Sequence, residues 1–143
     1  MNIRFLESMS KIKKRSPDRL RAKSLIEAAE STSLIILKMP NTDETSTIIF
    51  RELYESIRQM GDARWWLLGY SPEDHEVSME ILKEEKIRNS AKLAKLDRFR
   101  QIRNNANYGG FKVPKAVSQE LIEFWTECCK EILENLKKEI RRK

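Results

Sequence analysis

The chain has 143 residues, of which 40% are hydrophobic and 35% charged, a composition that fits one domain with its own core. Its 4 glycines and 4 prolines are too few for the turns of a β-sandwich or β-barrel, so long amphipathic helices with charged outer faces are predicted. The net charge of +6 permits a polyanionic partner, but it does not identify one by itself.

The first 15 residues, MNIRFLESMSKIKKR, predict a short helix or a separate arm. One face of that helix would carry Phe5, Leu6, Met9 and Ile12. The segment lacks the apolar stretch of a secretory signal peptide, and no run in the chain approaches the length of a membrane span. The protein is therefore expected in the cytoplasm, without a membrane partner.

A first long helix is predicted between a start signal at Ser16 and Pro17 and a stop at Pro40 and Asn41. Serine can cap the first turn, and proline at the first helical position loses no hydrogen bond. The apolar side of this helix is predicted to carry Leu25, Ala28, Ala29 and Ile36.

The second long helix is predicted from about Thr42 or Asp43 to Leu68, with Gly69 as its stop. Its apolar residues follow helical spacings of four, four and three, at Ile49, Leu53, Ile57 and Met60.

Three residues near the end of this helix need a separate explanation. Gly61 is unfavourable in the middle of a helix, although a single glycine is tolerated. Trp65 and Trp66 point about 100° apart on a helix. One tryptophan can therefore lie in the core while the other lies at an interface.

The segment SPEDHEVSMEILKEE predicts a third helix, because a serine and a proline are followed by acids in the first turn. Its inward residues are predicted to be Val77, Ile81 and Leu82. A fourth helix is predicted from about Ser90 to a break at Gly109–Gly110. Its core edge would be formed by Leu93, Leu96, Phe99 and Ile102.

The last helix, from about Pro114 to Ile140, has the clearest periodicity in the chain. Apolar residues recur every three or four positions at Val117, Leu121, Phe124, Cys128, Ile132, Leu136 and Ile140. Cys129 falls outside this stripe, and two adjacent cysteines form neither a disulfide framework nor a metal site. The whole pattern predicts an all-α fold, an antiparallel up-and-down bundle of four to five helices in a single domain over residues 1–143.

The fourth helix places an arginine on its core-facing edge. At 100° per residue, Leu96, Phe99 and Arg103 lie within about 60° of one another, and Arg100 and Asn107 point in a similar direction. A buried guanidinium needs acceptors for its donors. A salt bridge to a neighbouring helix or a side chain reaching the rim would satisfy it, and so would a bound anion or phosphate.

Basic residues are concentrated in two segments. Between residues 86 and 103 only Asp97 opposes seven cations, namely Lys86, Arg88, Lys92, Lys95, Arg98, Arg100 and Arg103. The C-terminal KKEIRRK adds five cations and one acid. These segments predict either a solvated face or a stripe that binds a phosphate backbone. The lone histidine, His75, is expected to be a surface or capping residue.

The stretches GYSPEDHEVSMEIL and KLDRFRQIRNNANYGG, followed by a long final helix, resemble the HEPN superfamily over roughly residues 17–140. The resemblance implies a HEPN-like helical bundle that forms a homodimer. It also implies a role in a toxin–antitoxin or defence system, with a nucleotidyltransferase-type antitoxin as partner. Active members are ribonucleases that cleave RNA without a metal, in a cleft at the dimer interface.

The resemblance carries over to particular residues. Arg103 matches the family's arginine, and Asn104 matches the polar residue beside it. Tyr108 stands where active members have a histidine, and a phenol, with an ordinary pKa of about 10, is a poor general base at neutral pH. The candidate catalytic residues are therefore Arg103, Asn104 and Tyr108, and the candidate ligand- or RNA-binding residues are Arg100, Arg103, Asn104, Asn107 and Tyr108.

The predicted function is binding of RNA or a nucleotide, without turnover and without a metal or other cofactor. Two alternatives stay open. The first is a metal-independent endoribonuclease with an altered active site. The second is a protein-interaction bundle whose basic charge is incidental.

Overall fold

The computed structural model describes residues 1–142, apart from the side chain of Tyr108. Most of this part of the chain is helical, which agrees with the predicted all-α class. The described residues also contain a small antiparallel sheet of two strands, β1 (Ile12–Lys14) and β2 (Tyr70–Pro72). The sheet was not predicted from the sequence.

The N-terminal segment is a short helix followed by a strand, so the prediction of a helix over the first 15 residues is correct only in part. α1 (Ile3–Ser8) ends before Ser10, which has a left-handed backbone with φ of 57°. Strand β1 then pairs with β2, with Ile12 opposite Pro72 and Lys14 opposite Tyr70. Because Ile12 is buried, the segment belongs to the core and is not a separate arm.

Helix α2 (Arg19–Ile36) begins later than predicted, because Asp18 and not Ser16 is its N-cap. The backbone N–H of Arg21 donates to the Asp18 carboxylate at 2.9 Å. The N-cap residue also contacts the end of the second long helix, because the Asp18 backbone N–H donates to the Trp66 carbonyl at 3.0 Å. The fully buried residues of α2 are Ala22, Ile26, Ala29, Ser33 and Ile36, whereas the predicted Leu25 and Ala28 are half-buried.

Helix α3 (Ser46–Leu68) lies at the centre of the molecule and packs against the other long helices. It begins after a hydrogen-bonded turn at residues 42–45, and it ends as predicted at Gly69, where φ is 91°. The predicted stripe is confirmed, because each member is at most 1% exposed: Ile49, Leu53, Ile57 and Met60.

The end of α3 contacts α4 (His75–Leu82) closely. A Cβ on Gly61 would lie 2.1 Å from the Ser78 carbonyl oxygen, so only glycine fits at this point. Trp65 is fully buried, and its indole N–H donates to the Val77 carbonyl at 2.9 Å. Trp66 is half-buried beneath Arg21, with 4.2 Å between the guanidinium carbon and the ring centroid.

The predicted start of the third helix is corrected, since residues 70–72 form β2. Asp74 caps α4 instead, and its carboxylate accepts a hydrogen bond from the backbone N–H of Glu76 at 2.6 Å. A 3₁₀ turn (Ser90–Ala94) then leads into α5 (Lys95–Gly109), which ends at Gly110 with φ of 69°. The predicted core residues of α4 and α5 are buried or half-buried.

The last helix is continuous but not regular. α6 (Lys115–Phe124) and α7 (Lys130–Arg141) are joined by a π-helical turn (Trp125–Cys129). The wider turn changes the direction of the side chains that follow it. As a result Trp125, Cys128 and Cys129 are all buried, and the prediction that Cys129 lies outside the core is wrong.

Candidate functional site

The predicted arginine of α5 contacts an aromatic ring of α3. The Arg103 guanidinium carbon lies 5.6 Å from the centroid of the Tyr54 ring, and the Arg103 side chain is half-buried. This distance suits a cation–π interaction. Among described groups, Arg103 has neither an ion-pair partner nor a hydrogen-bond acceptor.

Arg100 lies one turn earlier on the same helix and reaches α4. Its Nη2 atom is 3.5 Å from Glu76 Oε1, and the two side chains are 31% and 44% exposed. A pair with this exposure is weak, because water screens the two charges. The Arg100 Nε is buried and finds no acceptor among the described groups.

Tyr54 completes this cluster as a neutral phenol. Burial raises its pKa to about 12, although the nearby cations Arg103, Arg100 and Arg58 favour the phenolate. At neutral pH the Tyr54 hydroxyl therefore keeps its proton. It can support Arg103 through its ring, but it cannot act as a general base.

A polar network joins α3 to the first turn of α4, beside this cluster. Arg58 Nη1 donates to Asp62 Oδ2 at 2.6 Å, and the Ser78 hydroxyl donates to Asp62 Oδ1. Burial raises the pKa of the Asp62 carboxyl, against the lowering effect of Ser78 and Arg58. The network holds the segment that carries Glu76 against α3.

The asparagines of the predicted site lie on the same helix as the arginines. Asn104 is half-buried and Asn107 is exposed, and neither forms a hydrogen bond with a described group. Their amides can both donate and accept. The predicted contribution of the Tyr108 side chain lies outside the described residues.

Three residues around the arginine pair were missed by sequence reasoning: Tyr54 beneath Arg103, Glu76 beside Arg100, and Asp62 in the adjoining polar network. Tyr54 lies one turn from the predicted stripe residue Ile57, which was the only local signal for it. The acids are separated from Arg103 by more than 25 positions along the chain, so no spacing rule connects them.

His75 is an exposed residue at the first position of α4, as the surface prediction required. The residue that follows it in the sequence is Glu76, whose carboxylate contacts Arg100. The ion pair between Glu76 and Arg100 therefore joins the first turn of α4, which begins at His75, to the arginine-rich face of α5.

The basic segment before Arg103 is largely neutralised by acids of other helices. Arg98 Nη1 is 2.7 Å from Glu120 Oε2, and Lys92 pairs with Glu127. The count along the sequence therefore overstated the free positive charge. Arg88 likewise contacts Glu131.

The two basic segments approach each other away from the arginine pair. Lys86, Lys138 and Arg142 line one cavity of about 510 Å³, which also contains Glu84 and Glu139. Neither Arg100 nor Arg103 lines this cavity. The described residues thus place the basic segments in a mixed-charge cavity and, separately, in an arginine pair.

Neither cysteine is activated as a nucleophile. Burial raises the pKa of the Cys128 and Cys129 thiols, so the nucleophilic thiolate is disfavoured. Within residues 1–142, no group of three or more histidine, cysteine, aspartate or glutamate side chains is placed to hold a metal ion. None of the described helices combines the length and apolarity needed to cross a membrane.

Comparison with models of known protein families, with curated proteins and with solved structures yields no match to this chain. The resemblance to the HEPN superfamily therefore rests on the quoted sequence stretches alone. What the chain can bind has to be argued from the chemistry of its own side chains.

Proposed function

We propose that this chain binds phosphate groups of RNA or of a nucleotide at the junction of α3, α4 and α5. The observation that carries the proposal is Arg103. This half-buried guanidinium lies on the Tyr54 ring and has no carboxylate partner among the described residues. A partly desolvated cation with free donors is a favourable site for an anion.

Arg100 strengthens the same site. Its contact with Glu76 is long and exposed, so a phosphate can replace the carboxylate at little cost. The guanidinium groups of Arg100 and Arg103 offer planar, paired donors that suit phosphate oxygens. Asn104 and Asn107 add neutral donors and acceptors at the rim, and we propose Tyr108 as a further contact with the ligand.

The proposed activity is binding without turnover. General-base catalysis needs a group that accepts a proton near neutral pH. The described tyrosine of the site, Tyr54, has a pKa of about 12 and does not meet this need. We further propose that the domain is a HEPN-like antiparallel bundle that acts as a homodimer in a toxin–antitoxin or defence system, with a nucleotidyltransferase-type antitoxin as partner.

A second candidate function is a metal-independent endoribonuclease that uses His75. The observation that favours it is the contact between Arg100 and Glu76, the residue next to His75. In that case His75→Ala would abolish cleavage of single-stranded RNA in the presence of a chelator, while Tyr108→Phe would leave it unchanged. Absence of wild-type cleavage removes this candidate.

RNA binding is tested by fluorescence anisotropy with a labelled single-stranded RNA over a range of salt concentrations. Wild-type affinity is expected to fall steeply as salt rises, because binding releases condensed counterions. Arg103→Ala is expected to weaken binding and to reduce the salt slope by about 1. The matched control is Arg4→Ala, which removes the same charge from an exposed position on α1.

Circular dichroism must show unchanged helicity in both variants. If Arg103→Ala binds as tightly as Arg4→Ala, or if the wild type shows no salt-sensitive binding, the proposal is wrong. The protein-interaction bundle would then be the better description of this chain.

A further inference from the structure

A groove of about 310 Å³ lies beside the C-terminal end of α5. Its helical wall is formed by Ile102, Asn105 and Ala106, and its other wall by the segment that contains Phe111 and Val113. At 100° per residue, Asn105 points about 160° away from Arg103. Ile102 and Ala106 point about 100° and 60° away from Arg103, so the groove lies on the flank of α5 next to the proposed phosphate site.

Phe111 provides an aromatic surface in this groove. Its side chain is 67% exposed, although the ring lies directly on the backbone of Gly109. A Cβ at Gly109 would be 2.7 Å from Phe111 Cε2 and 2.8 Å from Cδ2. The glycine thus lets the helix end support part of the ring and leaves the rest open to solvent.

The groove also carries polar groups at its rim. Asn105 is exposed and forms no hydrogen bond with a described group, so its amide can donate and accept. Lys112 is exposed beside Phe111 and gives the rim a positive charge. A flat apolar surface, an amide and a cation together match a nucleobase with its attached phosphate.

We propose that this groove binds a nucleobase of single-stranded RNA, stacked on Phe111 and contacted at its edge by Asn105. The inference rests on the proposed function, because Arg100 and Arg103 would hold the backbone of the same strand. RNA is favoured over an apolar protein segment, since the rim is cationic and the phosphate-binding groups lie on the same helix. The chain thus has separate sites for base and backbone.

The test compares two labelled ligands, an oligouridylate and an abasic oligonucleotide of the same length and backbone. The wild type is expected to bind the base-bearing strand more tightly. Phe111→Leu keeps an apolar side chain but removes the stacking face, and it should lose about 5- to 150-fold in affinity for oligouridylate only. Arg103→Ala should weaken the binding of both ligands.

Gly109→Ala provides a second variant, because the added methyl group must displace the Phe111 ring while the ring itself remains present. It is expected to reduce the preference for the base-bearing strand. Leu20→Ala is the matched control, since Leu20 is an apolar residue of α2 that is 79% exposed. This control should keep the wild-type preference.

The outcomes separate this inference from the proposed function. Equal affinity of the wild type for both ligands, or an unchanged preference in Phe111→Leu, would overturn the nucleobase site while leaving the phosphate site standing. In that case a side chain of a partner protein would be the better candidate for the occupant of the groove. If the wild type binds neither ligand at low salt, the proposed function and the nucleobase site both fail.

Discussion

Arg103 and Tyr54 act as a pair at the scale of single residues. The arginine keeps its charge exposed to a ligand on one side, and the ring of Tyr54 supports it on the other. Because burial keeps Tyr54 neutral, the ring that contacts Arg103 carries no negative charge. A tyrosinate in the same place would form an ion pair with Arg103 and compete with a phosphate.

Tyr54 should make the stability of the protein depend on pH in the alkaline range. Its folded pKa of about 12 lies above the ordinary value of 10.0, so folding favours the protonated phenol. The contribution is fully present below pH 10 and is lost as pH rises towards 12. The difference corresponds to about 2–3 kcal/mol.

This prediction is measured by urea unfolding of the wild type and Tyr54→Phe between pH 8 and about 11, where the phenol begins to titrate. The free energy of unfolding of the wild type should fall relative to that of the variant as pH rises. Parallel pH curves for the two proteins would show that Tyr54 is not shielded from solvent as described.

At the scale of helices, the close approach of α3 and α4 decides where the site residues lie. Gly61 allows the two backbones to touch at Ser78, and the hydrogen bond from Ser78 to Asp62 fastens the same point. The first turn of α4 is thereby held where Glu76 can meet Arg100. Gly61 weakens α3 locally as a helix, but it is needed for the packing of α3 against α4.

Gly61→Ala should destabilise the protein although alanine is the better helix former by about 1 kcal/mol. The new methyl group would overlap the Ser78 carbonyl, and overpacking of this kind costs about 1–3 kcal/mol. The comparison is Gly110→Ala, whose Cβ meets no described atom within 4 Å and which is strained by its φ of 69°.

Thermal and urea unfolding will measure both variants. We expect Gly61→Ala to lose more stability than Gly110→Ala, because only Gly61 lies against the backbone of a neighbouring helix. A stabilised Gly61→Ala variant would mean that α3 and α4 can separate without cost.

At the scale of the whole molecule, ion pairs such as Arg98–Glu120 and Lys137–Glu30 link different helices, and the exposed part of α5 is polar. Its exposed side chains from residue 96 to residue 107 are Asp97, Arg98, Gln101, Asn105 and Asn107. The resemblance to the HEPN superfamily implies a homodimer, and we propose that the segment Leu96–Tyr108 lies at or beside its interface. An interface formed by the described exposed residues of this segment would be polar. Such an interface depends on hydrogen bonds and charge complementarity more than on apolar area.

Dimerisation is predicted to be detectable by light scattering at high micromolar concentration, with a mass twice that of the chain. Gln101→Trp places a bulky side chain on the exposed face of α5 and should shift the protein towards monomer. Ser24→Trp, at an exposed position on α2, is the control and should remain dimeric. A monomeric wild type would contradict the proposed assembly.

Helical periodicity predicted the elements that bury a repeated apolar face. The stripe from Ile49 to Met60 and the one from Leu121 to Leu136 are both in the core, because spacings of three and four place side chains on one side of a helix. The stop at Gly69 also follows from the sequence, since glycine tolerates a positive φ. The position of Arg103 near the core edge was predictable from helical spacing, because Arg103 lies one turn after the core residue Phe99.

Other features depend on residues that are distant in the sequence, and only the tertiary structure decided them. Strands β1 and β2 pair across more than 50 positions, and each is too short to have a recognisable pattern of its own. The π-helical turn that buries Cys129 breaks the regular spacing on which the prediction rested. The sequence by itself determined a basic helix with an arginine at its core edge, because that result needs only local geometry. The contacts of that helix with Tyr54 and Glu76 required the packing of α3, α4 and α5, since electrostatic partners are set by distance in space and not by separation along the chain.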